Sequence, residues 1–343
     1  MKAPQKLLLA AAISASLATP VMAQDIEIYG RAHVSVDALD NGSDTGMNVS
    51  SNSSRLGFRA KHELENGLEA FMQIETNIRY DQGNGGSLAS RDSFAGIRGG
   101  FGQLRVGFFD TPTKLVRSNT DMFGDRLGDA RNFTSGDNMS FDNRFRNGVH
   151  YRSPSKGPVT FDVQYSPHNA EGATADNNRT AISTALTYRQ GDWYAVVAYE
   201  TLESAVTTAD GTVLDPSVVR VGAYYNFKPE WRVSAFFQSA TDIAGGDRTV
   251  YGLGTSYRSG EWTYRAQFYA ASDNDTVNTG ANMLVLGADR RLARSTTAYI
   301  VYAMADNDAA ATFQVSAGGR DTRLPALAGE TQTGLSVGLV YSF

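Results

Sequence analysis

The chain has no cysteine in its 343 residues, which removes disulfides, thiolate nucleophiles and thiolate metal sites together. Its four histidines, His33, His62, His150 and His168, are scattered. Neither a metal centre nor a cofactor is expected. Nine prolines occur, and the seven beyond residue 23 all fall in or beside expected connectors, as they must if every strand pairs on both edges. Beyond residue 23 no apolar run approaches the roughly 18 to 20 residues of a spanning helix. Basic charge is also short there, at 29 side chains against 36 acidic ones, so a polyanionic nucleic acid is not an expected partner.

The first 23 residues read as a leader. Lys2 and Lys6 precede an apolar run from Leu7 to Leu17, and Val21-Met22-Ala23 supplies a small-x-small cleavage site, the order of a Sec signal peptide. Export is therefore expected, with a single domain over residues 24–343.

Along that domain hydrophobicity alternates. Ile26, Ile28, Gly30, Ala32, Val34 and Val36 share one parity, whereas Glu27, Arg31, His33, Ser35 and Asp37 share the other with Tyr29. A period of two places these sets on opposite faces of one strand. The pattern recurs at Leu56–Ala60, Val159–Tyr165, Trp231–Phe237, Trp262–Phe268 and Leu335–Phe343, and is weak at Arg91–Gly99 and Ser295–Ala305. About sixteen such segments can be counted, each near the ten residues that a tilted strand needs to cross a bilayer. Short turns alternate with longer polar loops, near 40–51, 81–90, 111–143, 167–179, 202–216, 241–247, 273–281 and 306–332. Tyr80, Tyr165, Tyr188, Phe227, Tyr257 and Phe343 sit at segment ends, where an interfacial girdle belongs. The expected fold is all-β: a closed 16-stranded antiparallel transmembrane β-barrel with short periplasmic turns and long extracellular loops.

Several stretches carry a family resemblance: Tyr29-Gly30-Arg31, Ser54-Arg55-Leu56-Gly57-Phe58, Arg91 with Ser93-Phe94-Ala95-Gly96, Phe141-Asp142-Asn143-Arg144, Asn147-Gly148-Val149-His150-Tyr151, Ser153-Pro154 and the terminal Val340-Tyr341-Ser342-Phe343. In this order they resemble the Gram-negative general porins. The resemblance implies a trimeric outer-membrane diffusion channel for ions and small hydrophilic solutes. The resemblance also implies an inward-folded third loop that forms a constriction with wall arginines, here Arg31, Arg55, Arg91 and Arg144, facing the loop acids Asp121 and Asp125. A wider basic wall would take in Arg59, Arg105 and Arg146. The general-porin Pro-Glu-Phe-Gly-Gly-Asp stretch is replaced by Thr120-Asp121-Met122-Phe123-Gly124-Asp125. Phe343 resembles the C-terminal signal read by the outer-membrane insertion machinery. The expected partners are further copies of the chain, outer-membrane lipid and lipopolysaccharide, that machinery, and the permeating solutes.

Independently of the resemblance, residues 111–143 form the longest stretch without strand pattern, and loops beyond about 15 residues usually have a task. An enzyme is not expected, since no convincing histidine partner for a serine nucleophile is present. An outer-membrane lipid hydrolase and a structural or adhesive barrel remain the alternatives at this point.

Overall fold

The computed structural model describes residues 25–169, 179–203, 206–208, 211–317, 320 and 324–343. The expected leader lies outside the described residues. Sixteen strands form one antiparallel sheet. They are β1 Asp25–Asp40, β2 in two pieces (Thr45–Ser51 and Arg55–Glu63), β3 Glu69–Arg79, β4 Ser93–Gly99, β5 Gly102–Asp110, β6 Arg144–Arg152, β7 Val159–Ser166 and β8 Ala181–Gln190. The second half holds β9 Trp193–Leu202, β10 Ser217–Lys228, β11 Trp231–Thr241, β12 Arg248–Ser259, β13 Trp262–Ala271, β14 Ala281–Ala293, β15 Thr296–Asn307 and β16 Gln332–Ser342. Each strand pairs with its sequence neighbours, and β1 also pairs with β16, from Arg31↔Ser342 to Asp40↔Thr333. Phe343 extends this seam by exchanging backbone hydrogen bonds with Gly30 at 2.9 and 3.1 Å. Closure leaves no sheet edge, which is what a barrel surrounded by hydrocarbon requires.

The burial pattern is the reverse of a soluble sandwich. On β1 the apolar Ile26, Ile28 and Val36 are 64%, 59% and 49% exposed, whereas His33 and Asp37 are fully buried. The polar parity faces the interior and the apolar parity faces outward on every side of the wall, with Phe161, Val197, Leu253, Leu286 and Val337 among the outward side chains. All three tryptophans, Trp193, Trp231 and Trp262, open strands at the short-turn end. Trp193 stacks on Tyr225 at 4.3 Å and Trp231 on Tyr257 at 4.5 Å, forming part of an aromatic belt at that rim.

Two expectations about connectors are corrected. The first loop is only residues 41–44, because Thr45–Ser51 continues the sheet against Val34–Asp40. The strand is interrupted at residues 52–54, where Ser53 takes φ 52° and Ser54 Oγ bonds both the N–H and the carbonyl of His33. Secondly, the eighth loop, residues 308–331, is not simply a polar outer loop. Ala311, Phe313 and Val315 are buried, and Phe313 stacks on Phe133 of the third loop at 4.7 Å.

The third loop, residues 111–143, folds into the barrel and is not structureless. It opens with helix α1, Pro112–Thr120, and contains a helical turn, α2, Arg131–Thr134. Thr111 caps α1 by accepting from the Lys114 N–H at 3.2 Å, and Pro112 occupies the first turn, where its missing donor costs nothing. Val116, Met122, Phe123, Leu127, Phe133, Met139 and Phe141 are buried, and each such apolar side chain contributes about 1.5–3 kcal/mol to holding the loop in place.

The wall is shaped to receive the loop. A Cβ built on Gly222 of β10 would lie 2.8 Å from Val116, on Gly254 of β12 2.8 Å from Met122, on Gly287 of β14 2.7 Å from Phe123, and on Gly334 of β16 2.9 Å from Leu127. Glycines on four alternate strands thus form a track under the loop. The weak alternation at Ser295–Ala305 has the same cause: Val301, Ala303 and Ala305 point inward yet are buried, and Ala303 lies beside Gly128 of the loop. Gly287→Leu should displace Phe123 from the wall into the channel at an overpacking cost of about 1–3 kcal/mol. The expected result is a lower single-channel conductance from a barrel that still assembles; an unchanged conductance would show that the track does not set the loop's position.

Candidate functional site

The loop lies against one half of the wall, and the open passage runs along the other. Thr113 N bonds Ser183 on β8, Ser234 on β11 bonds the Thr120 carbonyl, and Gln267 on β13 bonds both Met122 N and the Gly128 carbonyl. Arg126 reaches Asp289 on β14 at 3.0 Å. Loop 8 completes the filling. Its Val315 carbonyl accepts from Gly128 N and Asn132 Nδ2, and Arg320 is buried in an ion pair with Asp37 of β1.

A polar cavity of ≈ 520 Å³ lies between α1 and strands β1–β6. Arg31, Arg55, Arg91, Arg144 and Asp125 all line it. Arg31 Nη1 donates to Asp125 Oδ2 at 2.9 Å, a direct link between wall and loop. Arg91 Nε lies 2.5 Å and Arg55 Nε 3.5 Å from Glu75, which also accepts from Tyr29 at 2.9 Å. Arg144 lies 2.5 Å from Asp92 and 3.0 Å from Asp110, and Asp110 in turn meets Lys114 of α1 at 2.7 Å. Sequence reasoning missed the wall acids Glu75, Asp92 and Asp110. The parity of β3 points Glu75 inward with Gln73 and Phe71, a signal that was available.

Asp121 needs correction. Its side chain is only 1% exposed and does not line the cavity. It accepts from Phe123 N at 2.8 Å and Ala130 N at 3.1 Å, and meets Arg117 at 3.4 Å. It therefore pins the loop's own turn. Burial and the neighbouring Asp129 carboxylate push Asp121 up to about 7, against the pull of Arg117.

The other loop acids are also committed internally. Asp129 pairs with Arg131 at 2.7 Å, and Asp142 with Arg117 at 3.1 Å and with Arg220 of β10 at 3.0 Å. Burial works against ionising Asp125, but Arg131 and Arg31 hold it well below the usual carboxylate range. The cavity is consequently lined by nine basic side chains and four acidic ones. Three of the basic ones, Lys114, Arg117 and Arg131, come from the loop itself. The expected picture of an acidic loop facing a basic wall gives way to guanidinium and ammonium groups on both sides, with carboxylates interleaved. Of the wider basic wall, Arg59 and Arg105 line the cavity; Arg146 lies 5.8 Å from the Phe108 ring and is not part of the lining.

Comparison with known proteins places this architecture. Outer membrane porin protein 32 of Delftia acidovorans is 29% identical over 358 residues, covering 99% of this chain and all of that protein. Major outer membrane protein P.IB of Neisseria gonorrhoeae is 25% identical over 319 residues, covering 82% of this chain and 89% of the relative. Among solved structures, the anion-selective porin from Comamonas acidovorans superposes with a TM-score of 0.81 at 24% identity, over 94% of this chain and all of that one. A family model described as Gram-negative porin matches residues 9–310. The chain belongs to the Gram-negative porins, and is a passive diffusion channel of the outer membrane.

Proposed function

We propose that this porin passes small hydrophilic anions in preference to cations, through a constriction framed by Arg31, Arg55, Arg91 and Arg144 on the wall and by Asp125 and the α1 cations on the loop. The carrying observation is the excess of basic over acidic side chains lining the passage, present although the chain beyond residue 23 is net negative. Fixed positive charge in a narrow aqueous gap concentrates anions and repels cations. The similar porin from Comamonas acidovorans is anion-selective, which points the same way. No bond is made or broken in this reading. The channel discriminates by charge, polarity and size.

The same reading extends to assembly. Val36, Met47, Val49, Ile97, Leu104 and Val106 form an exposed apolar surface on β1–β5, suited to a homotrimer contact, with outer-membrane lipid and lipopolysaccharide against the rest of the outer face. Phe343, 57% exposed at the end of β16, suits recognition by the insertion machinery. The deciding experiment for selectivity is the zero-current potential of the purified channel in a planar bilayer under a potassium chloride gradient. An anion-selective sign is expected; a cation-selective or null potential would overturn the reading.

A further inference from the structure

Most cavity arginines are matched by a carboxylate; Arg105 on β5 is not. Its Cζ lies 4.0 Å from the centroid of the Phe109 ring and 4.8 Å from that of Phe94, and these two rings meet edge to face at 5.6 Å. Its Nε donates to His150 Nδ1 at 3.2 Å. His150 in turn bonds Asp162 through Nε2 at 2.8 Å, but that carboxylate is already met by Arg152 at 2.7 Å. Gly107, between Arg105 and Phe109 on the same face, has no room for a side chain, since a Cβ there would lie 2.3 Å from the Ser93 carbonyl. The guanidinium therefore rests on aromatic faces, which attract a cation without neutralising it. Its two terminal nitrogens have no protein partner among the described residues, and it lines the open cavity.

In the register of the sheet Arg105 aligns through Gly96 with Phe71, six residues nearer the short-turn end of β3 than Asn77, the partner of Arg55. The uncompensated charge thus lies off the constriction toward the short turns. We propose that Arg105 is a second anion-contact position of the channel, which receives small carboxylates and oxyanions on its free N–H pair, and that Phe94 and Phe109 are the positioning residues that hold it. A planar guanidinium presents two parallel donors matched to two acceptor oxygens. The mounting on rings explains why the charge stays available: a carboxylate at the same place would hold the side chain equally well and cancel its field. This inference rests on the anion-preferring reading above.

The test uses the full-length channel in planar bilayers with potassium acetate as the probe. Wild-type conductance should saturate with acetate activity. In Arg105→Gln the half-saturating concentration should rise by about threefold or more, as expected for losing one partly solvated charge-assisted pair, while liposome swelling by neutral sugars stays unchanged. Arg105→Lys keeps the charge but loses the fork, so it should raise half-saturation with little change in zero-current potential; it carries the test alone if Arg105→Gln fails to insert. Phe94→Leu should reproduce part of the shift and Phe94→Tyr should restore wild-type behaviour, a distinction that simple filling of space would not make. A wild type without anion preference would sink the reading of the whole channel. An anion-selective wild type whose half-saturation is unmoved in Arg105→Gln and Arg105→Lys would sink the proposal for Arg105 alone.

Discussion

Asp142→Ala should release the third loop from the wall and widen the channel, with uptake of neutral tri- and tetrasaccharides into liposomes rising severalfold. Asp142 accepts from Arg117 Nε at 3.1 Å, from both terminal nitrogens of Arg220 at 3.0 and 3.1 Å, from Thr134 Oγ1 at 2.9 Å and from Ser135 Oγ at 2.7 Å. Arg220 is fully buried beneath the loop, and its other bonds go to Gln238 and to the carbonyls of Thr113, Thr134 and Phe141. Removing the carboxylate leaves two guanidiniums without their shared counter-charge, a loss of about 3–5 kcal/mol when a buried pair is broken from one side. Water must then reach Arg220, and it can do so only if the loop lifts. The strand ladder does not depend on Asp142, so the barrel's thermal unfolding should change little. Unchanged sugar permeation would show that the apolar contacts alone hold the loop.

The same carboxylate fixes the acid limit of the closed loop. Burial opposes its ionisation, but Arg220 and Arg117 hold Asp142 well below the usual range. A depressed carboxylate gives stability that is present above its unfolded value, about 3.9, and is lost only as pH falls through the lower folded value. Asp142 should therefore stay ionised from pH 7 to pH 4.5, and in an Asp121→Asn background, which removes the loop acid held up at about 7, the sugar cut-off should be the same at both.

The second large effect concerns charge. Arg55→Ser combined with Arg59→Ser should move the zero-current potential strongly toward cations, and Asp125→Ser should move it toward anions by freeing Arg31 from its partner, while Arg131 keeps Asp129. Among the described residues Arg59 meets no carboxylate closer than Glu27 at 3.9 Å, and its guanidinium lies 3.9 Å over the Tyr29 ring, so its charge is little compensated. Both shifts should be strong at low salt and fade as the screening length falls from about 30 Å at 0.01 M to about 3 Å at 1 M. Asp121→Ser behaves differently. Because that side chain braces the turn at Phe123 and Ala130, it should alter the size cut-off more than the selectivity. If Asp121→Ser changes selectivity as Asp125→Ser does, its burial inside the loop is not what governs its role.

How much of this was legible in the sequence depended on the range of the interactions involved. The barrel was, because a wall between lipid and water writes a period of two into each strand. β1 is the clearest case, with Ile26, Ile28 and Val36 against Arg31, His33 and Asp37. The inward-folded loop was legible only as a length. α1 carried a local signal, Thr111 followed by Pro112, that could have marked a helix start. The orientation of Asp121 carried none, because it turns on Arg117 and on backbone donors supplied by the loop's own turn. Asp142 is drawn inward by Arg220, 78 residues away in the chain, and no periodicity records such a meeting. Loop 8 is similar. Ala311, Phe313 and Val315 alternate with polar residues like a strand, but pack on Phe133 and Asn132 instead of extending the sheet. Where the wall pattern faded, as at Ser295–Ala305, the fading was itself information: inward apolar residues mark the part of the wall the loop covers.

The seam between β1 and β16 has a consequence for how such a channel can come into being. Its paired residues, from Arg31 with Ser342 to Asp40 with Thr333, stand near opposite ends of the chain, so this is the contact of longest sequence separation in the sheet and the slowest to be found. Until it forms, any partial sheet carries two open rows of N–H and C=O groups, which hydrocarbon cannot satisfy and which would readily pair with another copy. The first and last strands must be shielded from each other's competitors until all sixteen are in place. Once the seam is shut, the girth of the wall is fixed by strand number, and later change in what the channel admits must come from the loops and side chains inside it.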